Sequence, residues 1–334
     1  LTRSSAASDV YKRQDRNLPI IYRWLKTIFT IYKLGKNKDL IFVNGLGTET
    51  TIANIFLKKK IIRKIVGDPV WERAYNKGKI SENFDEFQAR NYGLSISLQK
   101  KVRNFSIKNS DLVITPSQHL KNFILNLGFK NKIETINNGI TIPEESAEKF
   151  TNDQTNITIV SRLVTHKNIE KIIEAISDLN NSLIKLNIIG DGPELNQLQS
   201  IASRSNNKEN VIFHGKLHRD DINSIFLKSD IYVQASNYEG LPHSLLEAMS
   251  YGIPVLCTPV GECKELLGNE ERGYELDLPV SIDNIKSKIN EIISDKNIAS
   301  KKGEDGKVFV TKTYSLTNTF KLYKNLFTNL HEEE

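Results

Sequence analysis

Short apolar runs alternate with longer segments of helical spacing along most of the chain. Runs of mainly apolar residues recur, as at residues 184–189 and 255–257. Apolar residues at intervals of three and four follow many of these runs, as at residues 169–179, and this spacing is typical of an amphipathic helix. Strands that alternate with helices favour parallel sheets covered by helices on both faces. The pattern therefore predicts an α/β fold with doubly wound sheets.

The same pattern predicts the individual elements. Strands are expected at residues 39–43, 62–66, 132–136, 157–160, 184–189, 211–217, 231–234 and 255–257, with a strand and its loop at 111–117. Helices are expected at residues 50–58, 84–108, 119–127, 169–179, 281–294, 297–303 and 314–327, with shorter ones after Asp68 and from Pro193 and Pro242.

A polar run at residues 144–155 divides this pattern into two halves. A chain of 334 residues suits two domains, each able to bury its own core. We predict a first domain at residues 15–145, a second at 146–312 and a final helix within 313–334. Residues 1–14 have no periodic apolar face, so we expect a non-native or disordered leader there.

The stretch from residue 236 to residue 255 is the most informative part of the sequence. A strand precedes it, Pro242 suits the first position of a helix, and Gly252 suits its end. Glu239 precedes this helix, and Glu247 lies five residues into it, about 7.5 Å along the axis. The backbone N–H groups of Gly240 and Leu241 lie between the two carboxylates, at the positive end of the helix.

This layout offers an anion site with a hydroxyl-binding carboxylate on either side. A nucleoside-diphosphate sugar has the matching order of ribose hydroxyls, pyrophosphate and sugar hydroxyls. The alternative is structural, because any strand–loop–helix unit can carry one Glu that caps the helix and another on its exposed face. Spacing alone leaves both interpretations open.

The residues of this stretch, E-G-L-P-x-x-L-L-E-A-M-x-x-G-x-P-V, resemble the signature of family-4 (group 1) retaining glycosyltransferases. The resemblance extends over most of residues 39–330. It implies the GT-B architecture, with two Rossmann-like domains facing a cleft and a last helix that crosses back to the first domain. It also implies a closing strand and hinge at residues 137–143.

The resemblance implies transfer of a sugar from a nucleoside-diphosphate sugar to a hydroxyl acceptor, with retention of configuration, in surface polysaccharide or glycolipid assembly. Glu239 would then hold the sugar hydroxyls and Glu247 the ribose. Within Ser-Arg-Leu-x3-Lys-Asn, Arg162 and Lys167 match a pyrophosphate clamp, although loops are often rich in Lys and Arg. The remaining donor-site positions are Gly240, Leu241, Gly190, Gly192, His214 and Gly215. A catalytically silent subunit, or an epimerase or phosphorylase of the same fold, is the alternative.

The loop after residue 66 is expected to face the acceptor, as it does in relatives. Asp68, Trp71 and Glu72 are therefore candidates for acceptor contacts. A capped helix start with a packed Trp explains the same residues equally well.

Charge is shared unequally between the two halves. Residues 15–140 hold 22 Lys and Arg against 10 Asp and Glu, a balance of +12, whereas residues 141–334 have a balance of −8. A basic first half suits an anionic membrane or a phosphate-bearing acceptor, or is simply a solvated Lys-rich surface. The apolar and basic segment 18–34 could lie on a bilayer or pack as an ordinary helix. No recognisable nucleic-acid motif accompanies the basic residues.

The two cysteines fit neither a disulfide framework nor a zinc site, which favours a reducing cytoplasm. No run of 18 apolar residues is present. We expect a cytoplasmic protein, peripheral at the inner face of the membrane if it binds one. The sequence contains neither Asp-x-Asp nor His-Glu-x-x-His, so we expect activity without a metal or another cofactor.

The first domain is expected to be incomplete. Relatives open with a strand and a glycine-rich loop, but the first glycine here is Gly35. We therefore predict a first sheet with fewer parallel strands than the second, with an exposed edge and exposed apolar surface. Such a chain would bind the donor and transfer sugar poorly.

Overall fold

The computed structural model describes residues 19–205 and 208–332, and the chain forms two compact units. One unit comprises residues up to 74 together with 87–135, and the other comprises 75–86 and the residues from 136 onward. The predicted leader at residues 1–14 lies outside the described residues. Among those described, no helix combines the length and the apolar character that crossing a bilayer requires.

A four-stranded parallel sheet forms the centre of the first unit, in the order β1-β2-β3-β4. The elements up to residue 135 are α1 (Ile20–Gly35), β1 (Leu40–Asn44), α2 (Gly47–Leu57), β2 (Lys60–Lys64), α3 (Pro69–Tyr75), α4 (Phe84–Ala89), α5 (Leu94–Lys108), β3 (Leu112–Thr115), α6 (Gln118–Asn126) and β4 (Lys132–Thr135). Strand residues such as Ile61 and Val113 are fully buried between the helices. Their β-branched side chains suit such a sheet.

A six-stranded parallel sheet forms the centre of the second unit, in the order β10-β9-β8-β5-β6-β7. Its elements are β5 (Thr155–Val160), α7 (Ile169–Leu179), β6 (Ile184–Ile189), α8 (Leu195–Ser203), β7 (Val211–Gly215), α9 (Arg219–Phe226), β8 (Ile231–Gln234), α10 (His243–Ser250), β9 (Val255–Cys257), α11 (Cys263–Leu267), β10 (Tyr274–Glu275), α12 (Ile282–Ser294), α13 (Lys296–Tyr314) and α14 (Leu316–Glu332). The predicted α/β class with parallel sheets is confirmed.

The prediction of one helix over residues 84–108 is wrong. The chain forms α4 and α5 instead, separated at residues 90–93. Gly93 is the residue before α5, and its extended ψ of 166° ends any continuous helix there. The first turn of α5 is then held by the hydroxyl of Ser97, which donates to the carbonyl of Tyr92 at 2.7 Å.

Other predicted boundaries in the second unit are also wrong, including the following three. Residues 137–143 form no strand apart from a single bridge between Ile140 and Ser315. α8 begins two residues after Pro193, beyond a turn closed by the N–H of Leu195 on the carbonyl of Gly192 at 3.1 Å. The helix expected to end at residue 303 continues to Tyr314. Gly303 lies within it and packs closely against the backbone of residue 252.

The prediction that the first sheet has fewer parallel strands than the second is confirmed for the described residues. β1 is an edge strand, and Leu40 and Phe42 on it are 38% and 42% exposed. α1 packs on α2, with Tyr32 edge-on to Phe56. Several large apolar side chains of α1 remain exposed: Ile20, Ile21, Tyr22, Leu25 and Phe29.

Candidate functional site

The candidate site of the second unit lies where β8 and β5 end. Glu239 follows β8 and precedes α10, and its carboxylate oxygen Oε1 accepts a hydrogen bond of 2.7 Å from the hydroxyl of Ser236. The same oxygen forms an ion pair with the ammonium group of Lys167, which lies on the loop after β5. Both side chains are largely shielded, with 11% of Glu239 and 16% of Lys167 exposed. The structure thus brings two of the sequence-predicted residues into direct contact.

The loop that carries Arg162 and Lys167 is held by backbone contacts. Residues Thr165–Lys167 form one 3-10 turn, and the N–H of Lys167 donates to the carbonyl of Val164 at 3.0 Å. Arg162 is exposed to solvent. The loop therefore presents one fixed and one accessible cation in front of the sheet.

Gly190 and Gly192 support this loop from β6. Gly190 has a φ of +135°, and a Cβ there would collide with the carbonyl oxygen of Ser161. A Cβ at Gly192 would collide with the carbonyl oxygen of Leu163. Only glycine fits such close backbone approaches. Both glycines thus position the residues on either side of Arg162, whereas the sequence had suggested close approach to a ligand.

Glu247 lies on α10, as the spacing predicted, and it contacts a second cation. Its Oε1 lies 3.1 Å from Nη2 of Arg219, at the start of α9. Burial raises the pKa of Glu247, and the positive charge of Arg219 partly opposes this effect. Gly240 and Leu241 precede α10, and a Cβ at Gly261 would collide with the carbonyl oxygen of Glu239.

His214 and Gly215 lie at the end of β7. The ring Nε2 of His214 is 2.9 Å from Oδ1 of Asn187, and burial lowers the pKa of the ring. The carbonyl of Gly215 accepts the N–H of Gly190 at 2.8 Å. These residues therefore border the same end of the sheet as the Arg162 loop.

Sequence reasoning missed a network formed by residues 75–86 of the same unit. The hydroxyl of Tyr75 accepts a 2.7 Å hydrogen bond from the side-chain amide of Asn237, and Asn76 Oδ1 lies 2.9 Å from Nδ1 of His166. Phe84 stacks on Tyr238, with ring centroids 4.7 Å apart. The partners directly flank Lys167 and Glu239. Local sequence patterns do not predict these contacts, because the partners are 90 to 162 positions apart in sequence.

Asparagine side chains join the two loops. Asn168 donates to the carbonyl of Ala235 at 2.7 Å and to Oδ1 of Asn237 at 2.8 Å. The N–H of Asn237 donates to the carbonyl of His166 at 2.8 Å. The loops bearing Lys167 and Glu239 are therefore tied together by hydrogen bonds on both sides of the ion pair.

The three acceptor-side candidates of the first unit have different surroundings. Asp68 is fully buried, where it pairs with Arg103 and accepts the N–H of Val70 at 3.0 Å, so it caps α3. Trp71 is also fully buried. Glu72 is half-buried and lines a cavity of this unit. Packing and capping account for Asp68 and Trp71, which is the structural explanation that the sequence had left open.

Within residues 19–205 and 208–332, no group of three His, Cys, Asp or Glu side chains is placed to hold a metal ion. Both cysteines are buried and free, and Cys263 lies against Cys257. The site consists of fixed cations, carboxylates and backbone N–H groups.

Comparison with known sequences identifies a family. The family described as glycosyl transferases, group 1, matches residues 141–309. An uncharacterized glycosyltransferase of Methanocaldococcus jannaschii is 31% identical over 251 residues, which are 71% of this chain and 63% of that protein. The UDP-Gal:alpha-D-GlcNAc-diphosphoundecaprenol alpha-1,3-galactosyltransferase of Escherichia coli is 26% identical over 86% of this chain and 75% of its own length. The chain spans 57% to 63% of the first three curated relatives.

Solved structures show the same fold at low identity. Sucrose-phosphate synthase from Thermosynechococcus elongatus matches with a TM-score of 0.79 and 16% identity, over 96% of this chain and 81% of that one. HepE of Anabaena in complex with UDP matches with a TM-score of 0.75 and 17% identity, over 90% of this chain and 82% of that one. These likenesses show that the two parallel α/β units have the GT-B fold.

Proposed function

Because the chain belongs to the group 1 glycosyl transferases, we propose that it transfers a sugar from a nucleoside-diphosphate donor to a hydroxyl acceptor, with retention of configuration. The observation that carries this proposal is the contact of Lys167 with Glu239 beside the start of α10. A cation and a hydroxyl-binding carboxylate are thereby held next to the backbone N–H groups that precede and open α10, at the positive end of a helix.

Each site residue has a role in this proposal. Arg162 and Lys167 stabilise the charge that develops on the leaving diphosphate, together with the N–H groups of Gly240 and Leu241. Glu239 accepts hydrogen bonds from the transferred sugar, and Glu247 accepts those of the ribose. The base contacts the backbone near His214 and Gly215, while Gly190 and Gly192 hold the Arg162 loop in place. The side chains of Arg162 and Lys167 take the place of a metal ion, so transfer needs no divalent cation.

The ion pair between Lys167 and Glu239 also stabilises the site when no donor is bound. Lys167 and Glu239 neutralise each other at little exposure, and an isolated charge there would be unfavourable. An incoming diphosphate offers Lys167 a second anion, and the sugar hydroxyls offer Glu239 new donors. Donor binding thus replaces one satisfied arrangement by another without leaving a buried charge unpaired.

The proposed acceptor is a saccharide or a lipid-linked group in surface polysaccharide or glycolipid assembly. The name of the Escherichia coli relative describes transfer to a diphosphoundecaprenol acceptor, which supports this choice. The buried free thiols of Cys257 and Cys263 suit a reducing compartment. We place the enzyme in the cytoplasm, at the inner face of the membrane.

A thermal-shift panel of UDP- and GDP-sugars tests the donor site. A ligand at 100 times its dissociation constant adds about 2.7 kcal/mol to the free energy of unfolding. Donor hydrolysis, followed by phosphorus NMR with and without EDTA, then tests the chemistry. Binding without hydrolysis or transfer would favour a silent sugar-nucleotide-binding subunit, and loss of turnover with EDTA, restored by magnesium, would contradict the role given to Arg162 and Lys167.

A further inference from the structure

The first unit contains a cavity of about 1190 Å³ beside the carboxyl ends of β1 and β2. Ligands of parallel α/β sheets bind at this end of the strands. One wall is the loop from β1 into α2, and another is α5. Its cationic lining residues outnumber its carboxylates: Arg63, Lys64, Arg73, Lys101 and Arg103 against Glu49 and Glu72.

Arg63 lines this cavity although it is only 4% exposed. Its Nε donates to the hydroxyl of Ser110 at 2.7 Å, and its Nη2 donates to the hydroxyl of Thr51 at 3.0 Å. In the described part of the chain, no carboxylate forms an ion pair with Arg63, and its Nη1 donates no hydrogen bond. Burial lowers the pKa of Arg63 to about 10, so the group stays charged at neutral pH. A buried cation without a counter-charge is unfavourable unless an anion joins it.

The N-terminus of α2 lies against this guanidinium. α2 has 11 residues and begins at Gly47. Among the described residues no side chain caps it by a hydrogen bond, and Glu49 is the acidic residue of its first turn. A Cβ at Gly47 would collide with Nη1 of Arg63 and would lie 2.6 Å from the hydroxyl of Ser106. The positive end of a helix and a buried guanidinium repel each other when nothing negative lies between them. The missing glycine side chain lets the guanidinium lie directly against the first turn of α2, so that one anion in the cavity can meet both positive groups.

The cavity also has an apolar side that is open to solvent. Val66, Leu98, Val102 and Phe105 line it and are 40% to 62% exposed. An anion attached to a hydrocarbon group would cover these side chains and neutralise Arg63 at once. A free inorganic anion would satisfy only the guanidinium.

We propose that this cavity binds the phosphate or diphosphate head of an amphipathic acceptor, an inference that rests on the proposed transfer function. The planar guanidinium of Arg63 and the N–H groups that open α2 hold the phosphate oxygens. The apolar lining of α5 holds the adjoining hydrocarbon chain. Gly47 is what allows the guanidinium to lie beside the first turn of α2, so that both donors face the cavity.

Calorimetric titration with farnesyl diphosphate tests this proposal, because the probe has a diphosphate head and a short prenyl chain. The titration uses an Arg162→Ala/Lys167→Ala background, so that the second unit's cations do not bind the head. Adding Arg63→Met should weaken binding at least tenfold. Gly47→Ala, which keeps a good helix former but displaces the guanidinium, should do the same. Lys130→Met removes an exposed charge outside the cavity and should change nothing.

Further measurements separate ligand binding from a structural role of Arg63. A binding role predicts that Arg63→Met melts no lower than its parent without ligand, since a buried unpaired charge is removed. If Arg63→Met does not fold, the affinity of Gly47→Ala for farnesyl diphosphate decides whether the cavity binds the ligand. Farnesyl diphosphate should bind more tightly than pyrophosphate or farnesol.

Unchanged affinity in Gly47→Ala and Arg63→Met, or no binding by the background protein, overturns the proposal. Equal affinity for pyrophosphate and farnesyl diphosphate overturns the amphipathic ligand in favour of a soluble phosphate ester. UDP binding is measured separately in protein with Arg162 and Lys167 intact. Absence of UDP binding would count against the proposed donor site, but it would not change the conclusion from the titration with farnesyl diphosphate.

Discussion

Lys167 and Glu239 share one ion pair, so their removal should have different effects on donor binding. Lys167→Ala should weaken UDP at least tenfold while uridine is nearly unaffected, because a charge-assisted hydrogen bond to phosphate is worth about 1.5–3 kcal/mol. Glu239→Ala should lower turnover and leave UDP affinity nearly unchanged, because its proposed partner is the transferred sugar, which UDP lacks. Calorimetric titration with uridine and UDP, and donor hydrolysis rates, measure both. Lys228→Ala, an exposed lysine of the same unit, is the control. Equal losses for uridine and UDP in Lys167→Ala would contradict the assignment.

His166 should make the stability of the protein depend on pH. Burial, then the positive charges of Lys167 and Arg162, lower the pKa of His166 to about 3. In the unfolded chain the ring takes up a proton near pH 6.5. The unfolded state therefore binds more protons between these values, and stability falls as the pH drops from about 6.5 towards 3, by up to about 1.4 kcal/mol per pH unit.

Urea unfolding at pH 7.5 and pH 4.5 measures this dependence. His166→Gln cannot take up the proton, so it should lose less stability on acidification than the parent protein. His218→Gln, at an exposed position, should lose as much as the parent. An identical loss in the His166 variant would show that the buried ring does not set the difference.

At the residue scale, the sequence predicted where the site residues lie on helices and loops better than it predicted which side chains they contact. The spacing of Glu239 and Glu247 correctly placed one before and one within a short helix. It could not show that the first pairs with Lys167 and the second with Arg219, because Lys167 comes from another loop and Arg219 from the start of another helix. It also left open whether Asp68 contacts an acceptor or caps a helix, since a carboxylate before a helix suits either role.

At the scale of elements, residues 75–86 should decide how firmly the donor loops are held. Phe84 is 3% exposed and stacks on Tyr238, next to Glu239. Phe84→Ala should destabilise the protein by about 3–5 kcal/mol, the usual cost of such a cavity. It should also speed hydrogen exchange in peptides that contain Lys167 and Glu239. Phe56→Ala, where the ring is 72% exposed, is the matched control. Unchanged hydrogen exchange in both loops would show that residues 75–86 do not hold the donor loops in place.

The elements that the sequence predicted best are those with a strong apolar period. The bounds of α7 and β6 agree with the prediction at both ends. Isoleucines recur at helical spacing in α7, and apolar residues alternate with polar ones before two final isoleucines in β6. The break between α4 and α5 was missed because the apolar pattern continues across Gly93. Residues 75–86 were assigned to the first domain because nothing in their own sequence indicates partners in the second unit.

At the scale of the whole molecule, charge and exposed apolar surface coincide in the first half of the chain. The balance of +12 in residues 15–140 was evident from the sequence. The structure adds that α1 leaves a row of apolar side chains exposed beside its lysines. The sequence could not decide between a packed helix and a surface one, because α1 packs on α2 with only part of its circumference.

This combination predicts binding to anionic membranes through α1. The protein should sediment with vesicles that contain phosphatidylglycerol, more weakly at high salt, and should not sediment with phosphatidylcholine alone. Lys26→Glu/Lys33→Glu should weaken binding by tenfold or more, because each lysine near an anionic surface contributes about 1 kcal/mol. Lys185→Glu/Lys228→Glu changes the net charge equally in the second unit and should have little effect. Equal losses of vesicle binding in the two double variants would mean that net charge alone drives adsorption. Unchanged vesicle binding in both would show that α1 does not contact the membrane.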